Sequence, residues 1–239
     1  MTTRACSTEA AARPARLWLV RHGQSTWNVA GRIQGQSPAA GGLTAAGQDE
    51  AARAARQLAV NTPSAGFIVA SDLPRAAETA RIIADRFGWP VAYDQDLREQ
   101  RLGALEGRRL AAPRPAGPGG AGPASGQDAV DALWRDPYRR PPGGESVADM
   151  YLRVHRALAR LAATRSPAIV VTHGGPVRMV TATGLPTPGR PMPRRPVANA
   201  SVVTVALRAD LCAQTEMVAP WPSATWAESS SNHMPPSAR

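Results

Sequence analysis

Three short apolar runs constrain this chain most: RLWLVR at 16–21, GFIVAS at 66–71 and AIVVTH at 168–173. Each is shorter than an ordinary helix and apolar without alternation, the form of a strand covered on both faces. Helical periods lie between them. Leu43, Gly47, Ala51, Ala54 and Leu58 share one face, and Thr44 is placed to cap the first turn. Pro74 suits the opening of a second helix, expected to run to about Phe87, where Gly88 and Pro90 stop it. VAY at 91–93 reads as a further strand. A long helix is expected at about 145–163, with Val147, Met150, Tyr151, Val154, Leu158 and Leu161 on one stripe. A shorter one follows His173 to about Thr183. SVVTVAL at 201–207 and LCAQTEMVA at 211–219 look like a pair of strands. Strands alternating with helices predict an α/β fold, a mostly parallel sheet covered on both faces.

The flanks differ in composition. Residues 1–14 are short of apolar side chains and read as a disordered tail, as does the polar stretch 221–239. One domain is therefore expected over 15–220. It is interrupted at 111–126 by AAPRPAGPGGAGPASG, whose Ala, Pro, Gly and Ser read as a mobile surface insertion. PTPGRPMPRRP at 186–196 reads as an extended connection, and PRR at 193–195 as a solvated loop.

A net charge of +10 invites a nucleic-acid partner, but the pattern argues against one. All 28 basic residues are Arg, none is Lys, and they are scattered rather than run in a block. No apolar run nears the roughly 20 residues that cross a bilayer. No apolar stretch before a cleavage site marks the N-terminus for secretion, so a cytoplasmic protein is expected. Of the two cysteines, Cys6 lies in the tail and Cys212 in an apolar segment, and neither has a near neighbour for a redox pair or thiolate zinc site.

Chemistry concentrates where the strands end. His22 in LVRHGQSTWN and His173 in VVTHGGPVR each follow an apolar strand and precede glycine, and Arg75 in SDLPRAAETA follows a third strand. The carboxyl ends of parallel strands form the ligand crevice of an open sheet. Arg21 and Arg75 with two histidines would repel one another there unless they surrounded a dianion, for which phosphate is the obvious choice. Competing readings exist. Arg75 could pair with Glu78 one turn on. Trp27 reads as a packing residue, and His155 and His233 as solvated.

These segments also resemble the histidine phosphatase superfamily, which includes cofactor-dependent phosphoglycerate mutases and small phosphatases. RHGQSTWN is similar to its RHG signature, NVAGRIQG and LTAAGQ to its next segment, and SDLPRAAETA to its second arginine motif. LREQRLGALEG is similar to its acid loop, GGES at 143–146 to a later helix start, and VVTHGG to its second histidine. The resemblance implies a three-layer α/β sandwich around a mostly parallel central sheet. It implies that His22 accepts a phosphoryl group, that Arg21, Arg75 and His173 clamp it, and that Glu99 is the general acid, with Glu106 in the same loop as the alternative. Asn28, Gln34 and Gly174 would add substrate contacts. No metal or other cofactor is implied. The partner would be a small phosphorylated metabolite, and the enzyme a monomer or homodimer.

Two departures stand out. Gln24 occupies a place often held by Glu, and the loop after Gln36 lacks an Asp that commonly precedes the Leu-Thr helix start. Two functions compete: hydrolysis of phosphate esters through a phosphohistidine, and a cofactor-dependent phosphoglycerate mutase. The mutases' acid loop has the form ERHYG. Here Gln100 and Leu102 stand in place of the arginine and tyrosine, which favours hydrolysis. Arg108 and Arg109 are available for a second anionic group.

Overall fold

The computed structural model describes residues 14–63, 66–111, 125–164, 166–182 and 186–207. The expected tails, the strand at 211–219, Cys6, Cys212, His233 and residues 112–124 of the insertion lie outside the described residues. In chain order the elements are β1 (Ala15–Arg21), α1 (Thr26–Val29), α2 (Ala45–Asn61), β2 (Phe67–Ala70), α3 (Pro74–Phe87) and β3 (Val91–Tyr93). After them come α4 (Gly126–Arg135), α5 (Val147–Ala163), β4 (Ala168–Thr172), α6 (Gly174–Thr181) and β5 (Val202–Leu207). Short 3-10 turns at Gln95–Leu97 and Gly103–Leu105 punctuate the segment between β3 and α4.

The strands form one sheet in the order β3-β2-β4-β1-β5. Every pair is parallel except β1–β5, which runs antiparallel and closes one edge. The register aligns the strand ends. Arg21 lies opposite Thr172, and Ala70 opposite Val171, so β1, β4 and β2 end almost level. The residues just beyond them share one rim.

Both faces are covered, which is why the strands lack alternation. Trp18, Val20, Ile68, Ala70, Ile169 and Val171 pack with Ala54 and Leu58 of α2 and Ala76, Ala80 and Ile83 of α3. On the other face Leu17, Leu19, Val170 and Val205 pack with Met150, Val154 and Leu158 of α5 and Val177 of α6. The three-layer sandwich is present.

Local chemistry explains the helix ends. Thr44 Oγ1 accepts from the Gly47 amide, Pro74 opens α3, and Gly88 ends it at φ 66°. Ser146 and Asp149 form a reciprocal box at the start of α5. Three expectations need correction. The insertion does not extend to 126, because Ser125 and Asp128 form another capping box and Gly126 already belongs to α4. That helix has no counterpart in the sequence reading, although it buries Val130, Leu133 and Trp134. The helix after His173 ends at Thr181, not at 183. Among the described residues no helix is long and apolar enough to cross a membrane.

Candidate active site

The level strand ends place His22 and His173 side by side, their rings 5.1 Å apart and edge to face. His22 is fully buried, and its Nδ1 lies 2.7 Å from the Gly23 carbonyl. A carbonyl only accepts, so Nδ1 carries the proton and Nε2 keeps its lone pair. Arg75 Nε donates to that Nε2 over 3.2 Å. Burial above all, then the charges of Arg75 and Arg21, hold the His22 pKa well below 6.5. The imidazole is therefore neutral.

The loop bearing His22 is held tightly. A Cβ on Gly23 would lie 2.3 Å from the Gly47 carbonyl oxygen, so glycine is required for the loop to reach the start of α2. The Gly23 amide donates to Thr79 Oγ1, and Ala200 N and Asn199 Nδ2 both donate to the His22 carbonyl. Gln24 leaves the cleft alone: its Oε1 accepts from Thr44. In the loop that lacks the expected Asp, the Glu78 carboxylate takes the Leu43 amide at 2.8 Å. Glu78 is thus occupied elsewhere and is not the partner of Arg75.

Arg75 is buried beneath the site, with Nη2 donating to the Gly35 carbonyl and Nη1 left without an acceptor. Its pKa falls to about 10, chiefly from burial, so it stays charged at neutral pH. Arg21 donates through Nη1 to the Val197 carbonyl, while its buried Nε has no acceptor. His173 Nε2 lies 2.8 Å from Ser71 Oγ, and its Nδ1 is likewise buried and unpartnered. Burial and then Arg75 push its pKa well below 6.5 too. Unpaired buried donors are costly and rare. Among the described residues, three such unpartnered nitrogens, on Arg21, Arg75 and His173, lie around one imidazole.

Glu99 stands across the cleft. Its two carboxylate oxygens accept from the Gly175 amide at 3.1 and 3.2 Å, an approach open only because residue 175 has no Cβ. The backbone behind it is fixed by Arg153, whose guanidinium donates to the carbonyls of Asp96, Arg98 and Glu99 and pairs with the buried Glu145. Glu106 is turned elsewhere: its Oε1 takes the amides of Gln36 and Leu102, both at 2.9 Å. Asn28 and Gln34 line the cleft with their side-chain oxygens on the Ser25 hydroxyl, which leaves their amide NH₂ groups to face it. Gly174 lines it as well.

The cleft has a volume of about 130 Å³. The sequence reading missed four of its cationic and aromatic walls: Arg32, Trp134, Arg178 and Arg194. Arg194 lies in the segment expected to be a solvated loop, but Met192 donates to the Trp134 carbonyl and pulls that loop onto α4. Arg178 did carry a signal. It lies one turn after Gly174, so its side chain reaches back over the start of α6. Arg108 and Arg109 are exposed and do not line the cleft. His155 is half-buried rather than solvated, stacked on Tyr151 at 3.7 Å.

Comparison with known proteins agrees with this arrangement. Residues 17–219 match the model of the histidine phosphatase superfamily, branch 1. A glucosyl-3-phosphoglycerate phosphatase from Mycolicibacterium vanbaalenii is 36% identical over 208 residues, covering 81% of this chain and 85% of the relative. A probable phosphoglycerate mutase GpmB from Erwinia tasmaniensis is 33% identical over 197 residues, covering 79% and 83%. Among solved structures, a mycobacterial glucosyl-3-phosphoglycerate phosphatase in complex with VO3 superposes with a TM-score of 0.61 at 30% identity, covering 81% of this chain and 91% of that one. A second, a mycobacterial hydrolase, gives 0.68 at 28% identity, covering 87% and 98%. With two neutral histidines, the buried Arg75, the partly buried Arg21 and a facing carboxylate already in place at the strand ends, the match over most of its length makes this chain a member of the histidine phosphatase superfamily, an enzyme that hydrolyses phosphate monoesters.

Proposed function

We propose that His22 is the nucleophile of this phosphatase and Glu99 its general acid. His22 Nε2 forms a bond to phosphorus as the ester oxygen leaves, and Glu99 gives that oxygen a proton. Water then attacks the phosphohistidine, Glu99 takes the water's proton, and inorganic phosphate and neutral His22 are released. The observation that carries the reading is the trio of buried nitrogens without a partner among the described residues, Arg21 Nε, Arg75 Nη1 and His173 Nδ1. A phosphoryl group beside His22 offers them a partner, and the charge of the two arginines grows in value as negative charge spreads over the transferring oxygens. In this reading the Ser71 hydroxyl, which accepts from the Leu73 amide, gives its proton to His173 Nε2, and Nδ1 carries the ring proton. Asn28 and Gln34 supply neutral donors at the rim.

The mutase reading is favoured less. Gln100 Nε2 is engaged with the Glu145 carbonyl, and Leu102 presents an apolar wall, so neither grips a bisphosphate. The reading includes a small phosphorylated metabolite as partner, supported by the size of the cleft, and a cytoplasmic monomer or homodimer. Its test is His22→Ala with a ³²P-labelled ester. Turnover is expected to vanish, and brief exposure of the wild type to trap label on His22. A variant that keeps a substantial share of wild-type rate removes His22 from the role. Phosphate release without interconversion of 2- and 3-phosphoglycerate is expected, and efficient interconversion primed by 2,3-bisphosphoglycerate would reverse the choice.

A further inference from the structure

We propose that Arg178 and Arg194, with Arg32 at the rim, form a second anion site that selects phosphate monoesters bearing a second anionic group; this rests on the phosphoryl site at His22. The Arg178 guanidinium lies over the start of α6, its Nη1 3.2 Å from where a Gly174 Cβ would stand. It is held there by Nε donating to the Arg195 carbonyl at 2.6 Å and by the Trp134 ring 5.9 Å away. Its two terminal nitrogens have no hydrogen-bond acceptor among the described residues and line the cleft. Arg194 spends Nη1 on Asp131 at 2.7 Å, yet its buried Nε has no acceptor among the described residues. Arg32 is anchored through Nη1 to the Gly107 carbonyl.

Charge points the same way. Five arginines and one glutamate line the cleft. A phosphoryl dianion offsets two of those positive charges, and Asp131 offsets part of a third. Positive charge therefore remains among Arg32, Arg178 and Arg194. Burial lowers the Arg178 pKa only to about 10, so it is charged under physiological conditions. Guanidinium donors held by the protein through one nitrogen and free at the others suit a carboxylate or a second phosphate on the same substrate. Leu102, Leu110 and Val130 wall the space between, which suits a short carbon skeleton.

The test uses phosphonates, whose C–P bond this chemistry does not cleave, with binding measured by calorimetry on the full chain. The probes are propylphosphonate, 3-phosphonopropionate and propane-1,3-bisphosphonate, and the variants Arg178→Gln and Arg194→Gln. In the wild type a doubly anionic probe should bind roughly 10- to 100-fold more tightly than propylphosphonate, the usual worth of charged hydrogen bonds. That gap should shrink to within about threefold in Arg178→Gln and narrow in Arg194→Gln. The tighter of the two doubly anionic probes identifies the second group. Equal affinities in the wild type overturn the second site and leave the phosphoryl site standing, as does a gap that survives both substitutions. Failure of every phosphonate to bind overturns both.

Discussion

Glu106 and Glu99 show how a side chain's duty is set by the hydrogen bonds it already makes. Two carboxylates share the acid loop, and hydrogen bonding separates their tasks. Glu106 is spent on two backbone amides, whereas Glu99 is turned to the cleft and held by Gly175. Glu99→Gln should therefore slow alkyl phosphates far more than p-nitrophenyl phosphate, because an alkoxide needs a proton to leave. General acid help is typically worth about 10²–10⁴-fold, so a loss of that order confined to the alkyl esters is expected in kcat/KM. Glu106→Gln should lower both esters alike, through a loosened loop. Equal losses for both esters in Glu99→Gln would move the acid role away from it.

At the scale of elements, α5 acts on the site from a distance. Arg153 projects from it, half-way along the stripe that packs on the sheet, and ties three carbonyls of the acid loop to Glu145. Arg153→Met would keep the apolar stem but leave the buried Glu145 carboxylate without its counter-charge and the Asp96 and Arg98 carbonyls without their guanidinium donor. Loss of about 3–5 kcal/mol of unfolding free energy is expected from urea titration, as for other broken buried pairs. Much of this level is legible in the sequence. Strands β1, β2 and β4, helices α2, α3 and α5, and the residues His22, Arg75 and His173 follow from local apolar pattern and from punctuation by glycine and proline. Helix α4 is not legible, because its Ser125-Asp128 cap adjoins a stretch of Pro and Gly that masks it. Arg194 escapes for another reason: its place depends on Met192 meeting Trp134, a contact between segments 58 positions apart in sequence that no local pattern encodes.

For the whole molecule, two buried neutral histidines link stability to pH. Both have folded pKa values well below 6.5. Below that value the unfolded chain binds protons that the folded chain refuses, so acidification favours unfolding. Stability should be level above about pH 7 and fall below 6.5 by up to about 1.4 kcal/mol per pH unit for each histidine. Denaturant midpoints of the wild type and of His173→Asn across pH 4.5–8 check this, the variant being expected to show the shallower slope. Activity should also survive a strong chelator, because the anion is held by arginine and histidine donors. Complete loss with EDTA, restored by a divalent ion, would contradict that.

Strand β1 sits between β4 and β5, and its loop is pinned by Asn199 and Ala200. His22 thus leaves the ribosome well before the backbone that fixes it. In folding terms the site closes a loop of about 180 residues, the slow kind of contact that forms late. A nascent chain halted before residue 199 holds His22, Arg75, Glu99 and His173 and still lacks both donors to the His22 carbonyl and the strand that borders β1. Competence for phosphoryl transfer is therefore expected to wait for the chain beyond residue 199, and a copy that stops short of it is expected to be inert towards phosphate esters.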